Sequence, residues 1–148
     1  MNIGVHLYRE SEEITVPKYE TSGAAGMDVC AKMDVMLLPG ETKLVPTGLF
    51  VQIPDGYEIQ VRPRSGVSLK TGLRVANAPG TIDSDYRGEI CVIMQNTYYS
   101  QETQIRKGDK IAQIVLKEVP QISWIELSTK EEFTVTVRGE GGFGSTGK

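Results

Sequence analysis

The sequence predicts an all-β fold, and three observations carry that prediction. Tyr57, Ile59 and Val61 interleave with Glu58, Gln60 and Arg62, a period of two that turns one set toward a core and the other outward. Turn signals recur at Pro39-Gly40, Pro54-Asp55-Gly56, Pro79-Gly80 and Lys107-Gly108-Asp109, spaced as in a β-sandwich or barrel. Only the stretch from Ser65 to Gly72 invites a helix.

Taken in order, a strand is entered from Ala24-Ala-Gly-Met-Asp28, and further strands are predicted at 43–53, 57–62, 89–96, 110–118, 122–127 and 132–138. Between the second and third of these, Ser65-Gly-Val-Ser-Leu-Lys-Thr-Gly72 supports one or two helical turns, with Ser65 as the cap and Gly72 as the stop. From Arg138 the chain reads Arg-Gly-Glu-Gly-Gly-Phe-Gly-Ser-Thr-Gly-Lys, which cannot build a core. The organisation is therefore a β-domain over 1–137 and a C-terminal arm over 138–148.

A length of 148 residues suits one domain, and 39% hydrophobic with 24% charged residues is ordinary globular composition. The net charge of −3 argues against a protein that grips a nucleic-acid backbone, which needs a basic surplus. A small anion is compatible with it, because one pocket with a few Arg residues, aligned N–H groups and a cation overcomes a mildly acidic average. Cys30 and Cys91 sit far apart in apolar surroundings and read as buried free thiols, not as a zinc or redox pair. A charged-then-apolar leader and an unbroken apolar run are both missing, so a soluble intracellular protein is expected.

Several constellations could carry chemistry. Arg62-Pro-Arg-Ser-Gly66 runs from a strand end into the short helix, where N–H groups, the Ser65 hydroxyl and Arg64 could face an anion; the plainer alternative is a Pro-containing turn. Asn77-Ala-Pro-Gly-Thr-Ile-Asp-Ser-Asp-Tyr-Arg-Gly88 places carboxylates, an aromatic and an Arg within a dozen residues, suited to a general base or merely to Asx turns. The arm nearly spells a P-loop at Gly142 to Lys148, but the Ser or Thr and the helix that must follow are missing. Its glycines could still converge N–H groups on phosphate oxygens beside Arg138, although composition alone reads as a disordered terminus.

Together, Ala25-Gly-Met-Asp28, Pro63-Arg-Ser-Gly66, Gly80-Thr-Ile-Asp-Ser-Asp-Tyr-Arg-Gly88, Gly108-Asp-Lys-Ile-Ala-Gln113 and Arg138-Gly-Glu-Gly-Gly-Phe-Gly-Ser-Thr-Gly147 resemble the five motifs of the trimeric dUTPase family. They lie in the family's order across nearly the whole chain. The resemblance implies a jelly-roll-like distorted β-barrel, a homotrimer with sites at the subunit junctions, and Mg²⁺-dependent hydrolysis of dUTP to dUMP and pyrophosphate. That reaction removes a source of uracil in DNA and supplies dUMP for dTMP synthesis.

The resemblance also implies roles. Asp83 would activate the water that attacks the α-phosphorus, and Gln113 would support that water and the α-phosphate. Arg64, Ser65 and Gly66 would hold phosphates. Asn77, Gly80 and Ile82, with the backbone around them, would read uracil, and Tyr86 would lie against the deoxyribose. Asp28 would act near the metal through its water ligands. From the arm, Phe143 would stack on uracil while Arg138, Gly144, Ser145 and Thr146 cover the γ-phosphate. Thr81 and Val29 depart from the family's commonest residues at positions that touch no proposed catalytic group. Two other readings share these features: a dCTP deaminase-like relative, which would place a catalytic Glu in the base pocket, and a non-catalytic dUTP-sensing module.

Overall fold

A computed structural model describes residues 1–145 and 147. Ten strands form in chain order: β1 (His6–Arg9), β2 (Met27–Cys30), β3 (Val35–Leu37), β4 (Thr42–Gln52), β5 (Tyr57–Arg62), β6 (Leu73–Val75), β7 (Gly80–Ile82), β8 (Glu89–Asn96), β9 (Thr103–Ile105) and β10 (Lys110–Glu118). One helix, α1 (Ser65–Lys70), and a 3₁₀ turn at Lys130–Glu132 complete the elements. The strands make two four-stranded antiparallel sheets, ordered β1-β4-β8-β6 and β2-β10-β5-β7, and a small β3-β9 ribbon. This is the all-β, jelly-roll-like architecture that the sequence predicts.

The alternation in the sequence becomes the core. Along β8, Ile90, Val92, Met94 and Asn96 are buried while Glu89, Cys91, Ile93 and Gln95 face the other way. Val45, Leu49 and Val51 of β4 join them, and Val29, Ile59, Val61, Ile82, Ile111 and Ile114 of the second sheet close the same cluster. Burying a side chain of this size contributes about 1.5–3 kcal/mol, so these two faces supply the main stabilising term.

One irregularity and one buried amide fix the two ends of β8. The β4–β8 register shifts between Pro46 and Phe50, where Pro46 has no N–H to donate and Gly48 adopts φ +73°. Thr47, almost wholly buried, donates its hydroxyl to the Ile90 carbonyl at 2.6 Å. The Gly48 N–H donates to the Glu89 carboxylate at 2.7 Å, pinning the start of β8. At the other end of β8, the buried Asn96 amide donates to the carbonyls of Leu37 and Gln101 and accepts from the Tyr98 N–H.

Three expectations are corrected. Residues 122–127 and 132–138 form no strands: their apolar residues, Trp124, Val135 and Val137 among them, are exposed, and alternation makes a strand only where a neighbouring strand accepts its backbone hydrogen bonds. In α1, Arg64 is the N-cap and Ser65 the first helical residue, with no side-chain cap bond. The helix stops at Thr71, not Gly72, because the Thr71 hydroxyl donates to the Val67 carbonyl at 2.7 Å and then accepts the Leu73 N–H. The cysteines are free as expected, though half-buried. No described helix is long and apolar enough to cross a membrane.

Candidate active site

The hairpin between β6 and β8 builds one half of the site. Its base is set when the Ala76 N–H donates to the Ile93 carbonyl at 2.8 Å and β7 pairs with β5, Val61 opposite Gly80 and Ile59 opposite Ile82. Gly80 is needed for packing: a Cβ there would stand 3.2 Å from Val61 Cβ and 3.3 Å from Asn77 Nδ2. The Asn77 amide thus lies over a glycine at the mouth of a cavity of about 220 Å³, which Gly80, Ile82, Asp83, Tyr86 and Cys91 also line. Complete small-molecule pockets run to roughly 300–1,000 Å³, so this cavity needs a further wall to enclose a nucleotide.

A turn closed by the Tyr86 N–H to the Asp83 carbonyl, at 3.1 Å, sets these two residues side by side. Asp83 is exposed, and Tyr86 folds back so that its hydroxyl donates to the Glu89 carbonyl. Cys91 faces this cavity, and burial pushes its thiol pKa up, so it is a neutral wall. Sequence reasoning missed it; period two along β8 from Glu89 could have found it.

The second half lies where β2, β10 and β5 run side by side. Asp28, Gln113 and Arg62 are directly opposite one another across the three strands, and residues so paired share a face. Gln113 Nε2 donates to the Pro63 carbonyl at 2.9 Å, and its Oε1 lies 2.8 Å from where a Gly26 Cβ would be. Gly26, quoted within the Ala25-Gly-Met-Asp28 motif but given no role there, is what leaves room for that amide. Gln113 and Ser65 line an open basin of about 600 Å³ with Gln60, Arg62, Ala78 and Pro79. Exposed Gly66 adds no side chain to the helix entry, which leaves its N–H open to an anion.

Arg64 Nε contacts Asp28 Oδ1 at 2.9 Å, and Lys110 Nζ contacts Asp28 Oδ2 at 3.2 Å. Asp28, expected near the metal, therefore already has both oxygens engaged by cations. No group of three His, Cys, Asp or Glu side chains converges among the described residues. The donor set does not fit a metal held by the protein itself.

Among the described residues, the arm lines neither half within one chain. Arg138 Nε donates to the Gly141 carbonyl, and the Ser145 N–H to the Gly142 carbonyl. Phe143 is wholly exposed at φ +51°, and Gly144 adopts φ +88°. Thr146 lies outside the described residues.

Comparison with known proteins gives the family. The family model for dUTPase matches residues 12–147. The deoxyuridine 5'-triphosphate nucleotidohydrolase of Desulfotalea psychrophila is 53% identical over 141 residues, covering 94% of this chain and 91% of that protein. That of Fusobacterium nucleatum is 51% identical and covers 99% and 98% respectively. Among solved structures, Staphylococcus bacteriophage 80alpha dUTPase with dUpNHpp superposes with a TM-score of 0.88 at 27% identity, covering 98% of this chain and 99% of that one. A mutant dUTPase from phage phi11 of S. aureus, described with a structural Mg(II) ion, superposes with a TM-score of 0.79 at 25% identity, covering 86% and 99%.

Proposed function

The chain belongs to the dUTPase family, and we propose that it hydrolyses dUTP to dUMP and pyrophosphate with Asp83 as the base. The observation that carries this reading is the hairpin cavity, in which an amide (Asn77), a carboxylate (Asp83) and an aromatic ring (Tyr86) converge on a space bounded by Gly80 and Ile82. Asn77 and neighbouring backbone groups read the uracil edge, and the Tyr86 ring lies against the sugar where a 2′-hydroxyl would collide. A site built to hydrogen-bond uracil leaves its own groups unpaired when cytosine enters, which discriminates by ~10⁴ or more.

Arg64, Ser65 and the Gly66 N–H hold phosphates at the entry of α1, and Gln113 supports the water and the α-phosphate. Asp83 orients the water and takes its proton as the oxygen attacks the α-phosphorus and pyrophosphate leaves. The rate comes from positioning and charge stabilisation, without a covalent intermediate. Mg²⁺ arriving with the triphosphate would supply charge neutralisation without needing a cluster of protein carboxylates, with Asp28 near it through water ligands.

Asp83 and Gln113 line different hollows, on either side of the 77–83 hairpin. A homotrimer with sites at its junctions accounts for this, because one subunit's hairpin would meet another's phosphate face. The exposed apolar residues beyond β10, including Ile122, Trp124, Ile125 and Phe133, are suited to burial against another copy. The arm then closes the site, with Phe143 on uracil and Arg138, Gly144 and Ser145 over the γ-phosphate. Sedimentation equilibrium should give three subunits, and a stable, fully active monomer would refute the shared site.

A deaminase reading is disfavoured because the nearby Glu89 carboxylate is occupied by the Gly48 N–H and by Lys32 Nζ at 2.9 Å. The deciding experiment is product analysis with dUTP, dCTP, dTTP and UTP in Mg²⁺, comparing the full chain with one ending before Arg138. Selective formation of dUMP and pyrophosphate, lost on truncation, is expected. Ammonia from dCTP would favour the deaminase, and binding of dUTP without turnover the sensing module.

A further inference from the structure

The Tyr86 ring is seated on a residue that the strand ladder alone does not hold. Its hydroxyl donates to the Glu89 carbonyl at 3.0 Å, and Glu89 opens β8 opposite Phe50. The next β4–β8 pair is Pro46 with Cys91, so residues 47–49 of β4 bulge where Glu89 and Ile90 need partners. Side chains fill the gap. The Thr47 hydroxyl donates to the Ile90 carbonyl at 2.6 Å, and Glu89 Oε1 accepts the Gly48 N–H at 2.7 Å.

That same oxygen meets Lys32 Nζ at 2.9 Å, and Lys32 Nζ donates to Glu10 Oε2 at 2.8 Å. Both residues are tied to the bulge through their backbones: the Lys32 N–H donates to the Pro46 carbonyl at 2.9 Å and the Glu10 N–H to the Gly48 carbonyl at 3.0 Å. The Lys32 and Glu89 side chains are only 24% and 22% exposed, so removing the ammonium leaves a partly buried carboxylate short of charge compensation. Glu89 lines the hairpin cavity, whereas Lys32, Glu10 and Thr47 line a separate hollow of about 210 Å³. The effect of Lys32 on the nucleotide site therefore passes through Glu89.

We infer that Lys32 and Glu89 are positioning residues for sugar selection: their ion pair on the β4 bulge holds the Glu89 carbonyl, and with it the Tyr86 ring, where a 2′-hydroxyl would collide. This rests on the dUTP reading given above. The readout is the ratio of kcat/KM for dUTP to that for UTP. Lys32→Met should lower it about fivefold, and Lys32→Arg, which keeps the charge, should restore most of the loss. Glu89→Gln keeps an acceptor for the Gly48 N–H but removes the ion pair, and should give a similar fall.

Tyr86→Phe removes the hydroxyl that the seat receives. In that background Lys32→Met should change the ratio no further, because two substitutions acting through one contact are not additive. A merely structural role would lower kcat/KM for both nucleotides alike. An unchanged ratio in either Lys32→Met or Glu89→Gln, or a full further fall on top of Tyr86→Phe, would overturn the assignment. An unsubstituted protein that turned over dUTP and UTP equally, or neither of them, would instead overturn the reading of the site itself.

Discussion

The Tyr86 hydroxyl donates to the Glu89 carbonyl at 3.0 Å, and the ring reaches it by passing over Gly88. A Cβ on Gly88 would lie 2.3 Å from that hydroxyl and 2.5 Å from Tyr86 Cζ. Gly88→Ala should therefore swing the ring out of place while the sheets stay intact. Discrimination between dUTP and UTP, measured as the ratio of kcat/KM values, is expected to fall by about tenfold or more. An unchanged ratio would remove Tyr86 from sugar recognition.

Asp83 stands exposed at the cavity rim, in the same turn as Tyr86. Asp83→Asn keeps the shape and removes the base. Pyrophosphate release should slow by about 10²–10⁴-fold with little change in KM. Wild-type turnover in this variant would disprove the assignment.

Gly26 makes room for Gln113, whose Oε1 would lie 2.8 Å from an added Cβ, with the Ile114 carbonyl at 3.1 Å. Gly26→Ala displaces the amide and presses on the β2–β10 ladder. We expect kcat to fall by roughly ten- to a hundredfold and stability to fall by about 1–3 kcal/mol. Steady-state kinetics and denaturant unfolding on the same sample separate the two effects.

Asn96 is fully buried and bonds three backbone groups, those of Leu37, Gln101 and Tyr98. Asn96→Ala leaves those groups unpaired in the interior, at a cost of about 2–5 kcal/mol. Because Asn96 lies away from both hollows, kcat per folded molecule should be preserved. Urea unfolding and an activity assay at low temperature check both halves of the prediction.

The Glu41 carboxylate accepts the Leu38 N–H at 2.8 Å, and this bond holds its pKa below the ordinary 4.5. A carboxyl with a depressed folded pKa adds stability above its unfolded pKa and loses it as pH falls through the folded one. Glu41→Gln should therefore lower the Tm near neutral pH, with the difference from the parent closing as pH drops below 4.5. Scanning calorimetry across that range tests the sign.

The long, regular strands are legible in the amino-acid pattern. The six residues of β5 alternate polar and apolar, while β4, β8 and β10 are marked by apolar-rich runs, of which β4 and β10 bury adjacent residues, and glycines and prolines mark the turns between them. The three-residue strands β3, β6, β7 and β9 are too short to show a period. Residues 122–127 and 132–138 show the right pattern without the right partner, since periodicity records which face is apolar and not who accepts the hydrogen bonds. In the site, the motif residues Asn77, Asp83 and Tyr86 do come together, whereas Lys110 and Gly26 stood inside quoted motifs with no role read for them and Cys91 was read only as a buried thiol. Their roles arise from a bulge, a strand face and a close approach, and none of these is a local property of the chain.

The sequence by itself determined the all-β class, the family and the identity of the candidate base, because each rests on residue types at fixed spacings along one chain. Only the tertiary structure decided that Asp28 is bound by Arg64 and Lys110, and that Asp83 and Gln113 line separate hollows. Those facts depend on the register of β2, β10 and β5 and on the bulge after Lys110, which are set by how the two sheets pack their apolar faces together.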